Sequence, residues 1–454
     1  SWPKLKEHVV SLTRILSPAE LLSAAICASD ADKTARVLEK HPELKSQIDG
    51  PMANYGAEAT PLLAAVQRSD RKTIDALLRA GADINARGHS WAGGLSVLDE
   101  CAHDMIAFLI ERGAVLDAHA AARLGMFQEL QNLVGANPGV VAARGAHGQT
   151  PLHFASTIEI AQYLVEHGAE MDARDLQHES TPAQHMLRVL QGRHYRRDRQ
   201  DIARYLVARG CRTDLLMAAA LGDIALARWR LEADPSCIRM RVSEEYFPKQ
   251  DTRSSGSIYN WIFGPRRTAH LIARDFGHDD MFRLLMERSP EDLKLALACE
   301  LGDEDAFRAL LASHPNLTRT LSDEDCRRLP DAAQNNNTNA VRLMLGAGWP
   351  VDTRGEYNMT PLQWAAWHGN AEMVREILRY HPQLELKDND HGITALGGAL
   401  HGSENGWHRE TGDYVAAVEA LLIAGAKAPK VTEDLEASEP VRDALARYEE
   451  SSAR

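Results

Sequence analysis

The sequence is poor in several features that mark common protein classes. Only 6% of its 454 residues are aromatic while 44% are hydrophobic, a balance that suits close-packed helices better than thick sheets. Its 51 Lys and Arg are outnumbered by 64 Asp and Glu, which gives a net charge of −13. Because a general nucleic-acid binder needs clustered basic residues to replace phosphate counterions, this composition argues against that class.

Long apolar runs and closely spaced cysteines are also missing. No run approaches the ~20 apolar residues that cross a bilayer, so no membrane segment is expected. The six cysteines stand at least 26 residues apart, which excludes a CxxC redox pair or a zinc knuckle. We therefore expect reduced, mostly buried thiols and a cytoplasmic protein rather than a disulfide framework.

Two short motifs recur along the chain. The first begins with Thr and a following Pro or Ala, as in TPLLAA (60–65), TPLHFA (150–155), TPLQWAA (360–366) and TALGGA (394–399). The second follows it and contains Gly-Ala or a close variant, as in LLRAGADIN (77–85), LIERGAVLD (109–117) and LVEHGAEMD (164–172). Thr360 and Thr394 are 34 residues apart, so the pattern predicts a structural repeat.

Each copy of the two motifs predicts a pair of helices. Thr at the N-cap accepts a hydrogen bond from a first-turn amide, and Pro at the first helical position loses no helix hydrogen bond. The small pair Ala365 and Ala366 allows close helix contact. Glycines such as Gly81 and Gly168 end the second helix in a left-handed conformation. One such pair has to stack on its neighbours to bury its apolar stripe.

The period and the TPLHxA pattern resemble the ankyrin repeat. The resemblance covers nearly the whole chain and implies an all-α solenoid of about twelve helix pairs with short β-hairpin fingers. We expect this array over residues 1–430, with an acidic capping helix in 431–454. The family mostly binds proteins, although the scaffold itself dictates no chemistry.

Three insertions interrupt the period. The longest, at about 239–267, falls where the family places its finger, and IRMRV and IYNWIF predict the two strands of an enlarged hairpin. Period two would place Tyr259, Trp261 and Phe263 on one face, either packing the finger or forming a stacking wall for a ligand. The other two insertions, at about 191–200 and 402–413, lie between the helices of single repeats. Solvated surface loops are the alternative interpretation for both.

Trp367 and His368 occupy two positions that, by the resemblance, face a concave groove and contact a partner. A Trp beside a His favours recognition, although Trp could also cover a neighbouring helix end. The remaining candidate binding residues come from the same breaks in the period or from neighbouring groove positions: Glu356, Tyr357 and Trp407, Tyr259, Trp261 and Phe276, and Arg193 with His194.

An enzymatic alternative rests on acid and base groups that folding would have to bring together. No familiar catalytic motif is present, and no metal site or cofactor is predicted. Glu404 with His408, and Glu244 or Glu245 with Asp275, could converge for general acid/base chemistry on a polar small molecule such as a carbohydrate.

The leading hypothesis is a binding scaffold whose concave groove recognises a protein or peptide. The negative net charge favours a neutral or basic partner, and neither nucleic acid nor membrane is expected as one. We expect a monomer. A small polar ligand is the alternative partner, and a passive spacer with drifting insertions is a third hypothesis.

Overall fold

A computed structural model describes residues 16–55, 59–188, 199–432 and 435–452. The chain forms two compact units, Ser1–Phe282 (unit 1) and Arg283–Arg454 (unit 2). In the described residues the secondary structure consists of helices and one isolated β-bridge, without a β-strand. The prediction of an all-α fold is therefore confirmed.

The helices of unit 1 come mostly in pairs separated by a short turn. They are α1 (Pro18–Cys27) and α2 (Ala31–Lys40), α3 (Pro61–Gln67) and α4 (Arg71–Arg79), α5 (Val97–Glu100) and α6 (Ile106–Glu111), α7 (Ala118–Leu124) and α8 (Phe127–Ala136), α9 (Pro151–Phe154) and α10 (Ile158–Glu166), α11 (Pro182–His185) and α12 (Gln200–Ala208), α13 (Leu215–Leu221) and α14 (Ile224–Ala233), α15 (Tyr259–Ile262), and α16 (Ala269–Asp275). Helix α17 (Asp279–Arg288) spans the boundary between the units.

Unit 2 repeats the same arrangement and ends in one longer helix. Its helices are α18 (Glu291–Leu301) and α19 (Glu304–Ser313), α20 (Asp323–Cys326), α21 (Arg328–Gln334) and α22 (Thr338–Ala347), α23 (Pro361–Trp367) and α24 (Ala371–Leu378), α25 (Ala395–Asn405) and α26 (Tyr414–Ile423), and α27 (Glu439–Ser452). Twelve helix pairs can be traced along the described residues, in agreement with the predicted number.

The caps read from the sequence are present at the helix starts. Thr360 accepts a hydrogen bond from the Gln363 amide over 3.3 Å, and the Gln363 side chain accepts from the Thr360 amide over 2.8 Å. This reciprocal pair satisfies two amides that the first helical turn leaves without partners. After the second helix of a repeat, Gly81 takes a φ of 104°, the left-handed conformation that glycine tolerates best.

Within each unit, helices stack on their counterparts in neighbouring pairs. In unit 2, α21, α23 and α25 pack in one row and α22, α24 and α26 in a second, with α27 on α26. Their apolar sides form one core that includes Leu362, Trp364 and Val374. This stacking buries an apolar stripe that a single pair would expose.

All six cysteines are free thiols, and Cys101, Cys211, Cys237 and Cys299 are buried as expected. Burial, together with the nearby carboxylates of Asp172 and Asp214, raises the pKa of Cys211 to about 12. None of the helices in the described part of the chain combines the length and apolar character that crossing a bilayer requires.

Candidate functional site

The enlarged finger of unit 1 is closed at its base but contains no strands. Arg241 and Thr268 form the β-bridge, and next to it the Val242 amide donates to the Arg267 carbonyl over 3.0 Å. The prediction of a strand at IYNWIF is wrong, because Tyr259–Ile262 forms the helical turn α15. Four residues hold too little periodicity to separate a strand from a helical turn, so long-range contacts decide the conformation.

Because α15 is helical, the three aromatic residues of IYNWIF do not share a face. Tyr259 and Phe263, four positions apart, are buried and pack with ring centroids 5.0 Å apart. Trp261 points away and is 61% exposed, and its ring centroid lies 6.1 Å from that of His178. Phe276 lies 6.0 Å from Phe263. The predicted stacking wall is therefore mostly the packed interior of the finger.

Polar groups of the segment just before α11, two helix pairs earlier in the chain, hold the finger in place. The Glu179 carboxylate accepts hydrogen bonds from the amides of Gln250 and Asp251, each over 2.7 Å. The Ile258 amide donates to the Ser180 hydroxyl over 3.0 Å. Glu179 itself has a φ of 48°, a conformation uncommon for residues other than glycine. These hydrogen bonds fix the finger to the loop that contains Glu179 and Ser180.

The Tyr259 hydroxyl provides a buried anchor by donating to the Asp214 carboxylate over 2.9 Å. Burial raises the pKa of Asp214, although hydrogen bonds from the Met217 amide and from Tyr259 oppose this effect. Asp214 also caps α13 by accepting from the Met217 amide over 2.8 Å. Tyr259, a predicted ligand contact, is therefore an internal structural residue.

The candidate acids of unit 1 are all engaged in ion pairs. Glu244 lies 3.0 Å from Lys249, and Glu245 lies 3.3 Å from Arg241. Asp275 pairs with Arg267. Each of these three acids is therefore paired with a base of the finger or of its edge.

Unit 2 contains a group of stacked rings, which we call the ring cluster: Tyr357, Trp364, Trp367, His368, His401, Trp407 and His408. Trp364 is nearly parallel to both His368 and Trp407, at 23° in each case, with centroids 6.0 and 6.3 Å away. His368 contacts Trp407 at 5.8 Å and His408 at 5.1 Å. The ring cluster therefore joins the end of α23 to the turn between α25 and α26.

The remaining members of the ring cluster extend it to both sides. Trp367 stacks on His401 with centroids 5.1 Å apart, and Tyr357 lies 6.3 Å from Trp364. Exposure rises sharply across the group, from 3% for Trp364 to 69% for Trp407. One indole is thus presented to solvent above a buried ring.

Local sequence explains this arrangement. Trp364 and His368 are four residues apart, which places both on one face at the end of α23. Glycines then let the next repeat approach: a Cβ on Gly402 would lie 2.4 Å from the Trp367 carbonyl oxygen, and one on Gly412 would lie 2.6 Å from the His368 carbonyl oxygen. The insertion at 402–413 can pack on α23 because these positions lack side chains.

His368 was expected to face a groove, but it is only 2% exposed. Its Nε2–H donates to the Gln334 carbonyl over 2.9 Å, which ties α23 to the end of α21. Burial lowers the pKa of His368 to about 4; the hydrogen bond to Gln334 opposes the shift and His408 adds to it. The ring is therefore neutral near pH 7, with Nδ1 as an acceptor.

Three polar atoms of the ring cluster are buried without a hydrogen-bond partner among the described residues. They are the indole nitrogens of Trp364 and Trp367 and Nδ1 of His368. Buried polar groups are nearly always satisfied in proteins, so each exception calls for an explanation. Because all three atoms are buried, they are not accessible to a partner in this conformation.

Glu404 and Glu356, two predicted site residues of unit 2 with carboxylates, both have polar partners. Glu404 is 3.5 Å from the Arg442 guanidinium, and Glu356 accepts a hydrogen bond from the Gln334 side chain over 2.8 Å. His408 contacts the His368 ring rather than Glu404. In the described residues the predicted acid–base pair of Glu404 and His408 is therefore not formed by direct contact.

The remaining predicted residues, Arg193 and His194, lie outside the described residues with most of the 191–200 insertion. No group of three or more His, Cys, Asp or Glu side chains within the described ranges is arranged to hold a metal ion.

Trp364 was not among the predicted site residues, although the sequence contains a signal for it. Trp364 occupies the variable position of the TPLHxA pattern, and its spacing of four from His368 was a usable signal.

A cavity of about 330 Å³ in unit 1 was also missed, lined in part by Arg87, Asp117, His119, Arg144 and Gly145. Burial raises the pKa of Asp117, but the neighbouring His119 ring, the hydrogen bond from the Ala120 amide and Arg87 bring it down to about 2. Arg87 donates to Asp117 over 2.8 Å and His119 Nε2–H to the Ala143 carbonyl over 2.9 Å. The polar walls of the cavity are thus largely paired with one another.

Comparison with known proteins gives matches to a single type of repeat. A family model described as "Ankyrin repeats (3 copies)" matches residues 295–391 and 329–428, and one described as "Ankyrin repeat" matches 58–89 and 147–176.

Two relatives from Oryza sativa subsp. japonica share a short segment with the chain. One, named E3 ubiquitin-protein ligase XB3, is 36% identical over 99 residues, or 21% of this chain and 22% of the relative. The other, named probable E3 ubiquitin-protein ligase XBOS31, is 32% identical over 114 residues, or 25% and 26%. The chain thus spans about a quarter of the length of each relative. The family models therefore show that both units contain ankyrin repeats, in agreement with the helix pairs and their caps.

Proposed function

We propose that the chain is a binding scaffold that recognises a protein or peptide partner through the ring cluster of unit 2, in a concave groove lined by the first helices of the repeats. The proposal rests on Trp407, whose indole is 69% exposed above the buried rings of Trp364 and His368. Large exposed aromatics in a packed surrounding are typical of the residues that dominate binding energy at interfaces.

The fold also supports the proposal, because ankyrin repeats are a scaffold for protein interaction. We further propose that the repeat array extends over residues 1–430 and that residues 431–454 form its acidic capping helix. We also propose that the protein is a monomer.

A displayed library of random peptides tests the proposal when it is selected against the intact chain. Selected peptides are then measured against Trp407→Ala and against Trp229→Ala, a matched control that removes another exposed indole, 56% exposed, from unit 1. We expect Trp407→Ala to weaken binding by roughly tenfold or more, as removal of an interface anchor does, and Trp229→Ala to leave it unchanged.

Circular dichroism of both variants checks that the helices remain intact. Peptides that bind wild type and Trp407→Ala equally would contradict the proposed location, and a library without any binder would contradict peptide recognition.

A small polar ligand such as a carbohydrate is the second candidate, favoured by the same exposed indole face. Sugar rings present C–H groups to aromatic faces, while their hydroxyls both donate and accept. In this alternative Glu404 and His408 of unit 2 supply the acid and base of a hydrolytic reaction.

Calorimetric titration with a panel of mono- and oligosaccharides tests this candidate. We expect binding heat that is lost in Trp407→Ala, and turnover that is lost in Glu404→Gln while binding remains. The absence of heat with every sugar would rule out the carbohydrate candidate.

A further inference from the structure

Arginine side chains cover aromatic rings at several places in unit 1. The guanidinium groups lie 3.4 to 5.6 Å from the ring centroids in these pairs: Arg68 over Tyr55, Arg71 and Arg112 over Phe108, Arg188 over Phe276, Arg230 over Trp229, Arg253 over Trp91, and Arg274 over Phe282. Such a contact is favourable because a cation is attracted to the electron-rich face of an aromatic ring.

The three tryptophans of the ring cluster differ from those rings. No Lys or Arg in the described part of unit 2 lies over Trp364, Trp367 or Trp407, whose ring neighbours are aromatic or imidazole groups. Trp407 is also the most exposed of the three, so one of its faces is accessible to a cation from outside the chain.

The two units also differ in net charge, and unit 2 is the more negative. Residues 1–282 contain 33 Lys and Arg against 35 Asp and Glu, whereas residues 283–454 contain 18 against 29. Nearly all of the negative excess of the chain therefore belongs to unit 2. An acidic surface attracts a basic partner and increases its rate of encounter.

We propose that Trp407 receives an arginine side chain from a basic, extended peptide. Arginine fits better than lysine because its planar guanidinium is weakly hydrated and stacks on aromatic faces, as the pairs in unit 1 do. The turn holds the ring in position, since the Gly406 amide donates to the Gly402 carbonyl over 2.8 Å and the Gly412 amide to the His408 carbonyl over 2.7 Å.

The proposal also accounts for the composition of the turn. Glu404 and Glu410 flank Trp407 in sequence, and each has a basic neighbour at the long distances of 3.5 Å to Arg442 and 3.8 Å to Arg409. Exposed ion pairs of this kind contribute little and can exchange partners. This inference rests on the proposed function, because it assigns the chemistry of the peptide that the ring cluster binds.

Fluorescence anisotropy with defined peptides tests the inference on the intact chain. The probe is a fluorescein-labelled peptide of repeating Gly-Ser-Arg units, compared with otherwise identical peptides that contain lysine or citrulline in place of arginine. Citrulline retains the planar shape of arginine but has no charge. Each peptide is titrated against wild type, Trp407→Ala and Trp229→Ala, all of which have the same net charge.

We expect the arginine peptide to bind wild type roughly fivefold or more tighter than the citrulline peptide, and the lysine peptide to fall between them. Trp407→Ala should weaken arginine binding by a similar factor, while Trp229→Ala should not. Because neither substitution changes the charge, general electrostatic attraction would affect both variants equally.

Several outcomes would overturn the inference. These are no binding of the arginine peptide, equal binding of the arginine and citrulline peptides, or equal binding by Trp407→Ala and Trp229→Ala. If library peptides depend on Trp407 but keep their affinity when arginine is replaced by citrulline, the proposed function stands and only the arginine assignment fails. If no library peptide depends on Trp407, the proposed function fails as well.

Discussion

The aromatic residues of the finger in unit 1 and of the ring cluster in unit 2 are packed differently. In the finger, Tyr259 and Phe263 are buried and Trp261 is 61% exposed, while Arg253 of the finger lies over Trp91 from an earlier loop. In unit 2, Trp364 is buried but Trp407 above it is exposed. An aromatic-rich insertion in a repeat array therefore does not by itself mark a binding site. What distinguishes the exposed Trp407 from the exposed Trp261 is that Trp407 stacks on the buried Trp364 ring at 23°, whereas Trp261 meets the His178 ring at 70°.

The largest expected effect is a loss of the stability of unit 2 as the pH falls. In folded unit 2 the pKa of His368 is lowered from 6.5 to about 4, so as pH falls the unfolded chain takes up this proton first. The stability of unit 2 should fall between pH 6.5 and 4, by about 3 kcal/mol. His368→Gln should remove most of this loss in unit 2, whereas unit 1 keeps an acid-dependent loss from His153, whose pKa burial lowers to about 3.

Hydrogen exchange of each unit across this pH range measures the effect. His314→Gln, at an exposed position of unit 2, serves as the control and should leave the pH profile unchanged. An unaltered profile in His368→Gln would contradict the assignment.

The close approach of α25 to α23 can be broken with one methyl group. In Gly402→Ala the new Cβ would lie 2.4 Å from the Trp367 carbonyl oxygen, so the backbone has to shift, at about 1–3 kcal/mol of the free energy of unfolding. Gly397→Ala in the same helix meets its nearest atoms at 3.5 Å and should stabilise by roughly 0.5–1 kcal/mol. Denaturant titration compares the two, and equal effects would refute the steric explanation.

Two buried tyrosines sharpen the comparison between the units. Tyr259→Phe removes the hydrogen bond to the buried Asp214 carboxyl group in unit 1 and should cost about 1–3 kcal/mol. Tyr414→Phe removes the donor to the Trp367 carbonyl, 3.0 Å away in unit 2, and should cost about 0.5–1.5 kcal/mol. Denaturant titration measures both, and a larger loss in Tyr414→Phe would show that the finger anchor matters less than its burial suggests.

The smallest expected effect concerns the contact between Arg253 of the finger and the Trp91 ring. Arg253→Ala removes the guanidinium that lies 4.4 Å from the Trp91 ring centroid and should destabilise finger docking by about 0.5–1 kcal/mol. This loss should appear as faster amide exchange in residues 249–258. Arg230→Ala removes a contact between neighbours in one helix, with Trp229, and should leave the finger unchanged. Equal exchange in the two variants would contradict a covering role for Arg253.

The helix pairs could be predicted because their signals are local. A Thr N-cap, a Pro in the first turn and a left-handed Gly act within a few residues, so Thr360 and Gly81 keep the same role in sequence and structure. The same locality brought Trp367 and His368 near the turn that contains Trp407, since successive repeats stack on one another.

The finger and the chemistry of the acids could not be predicted in the same way. Tyr259 takes a helical conformation and anchors to Asp214, a contact between residues 45 positions apart that no local period encodes. Glu404 has a partner, Arg442, on another helix. His368 is buried and donates to the Gln334 carbonyl, a contact that forms only when the helices of neighbouring repeats are stacked.

The hydrogen bond between the side chains of Gln177 and Ser255, 78 residues apart, also bears on the order in which the chain folds. Contacts between adjacent repeats close loops of about 33 residues, so they can form progressively along the chain. The finger closes a loop more than twice as long, and contacts of large sequence separation form slowly because the loop-closure entropy comes first. We therefore expect finger docking to be a late kinetic phase in the refolding of unit 1, after the flanking helix pairs have assembled.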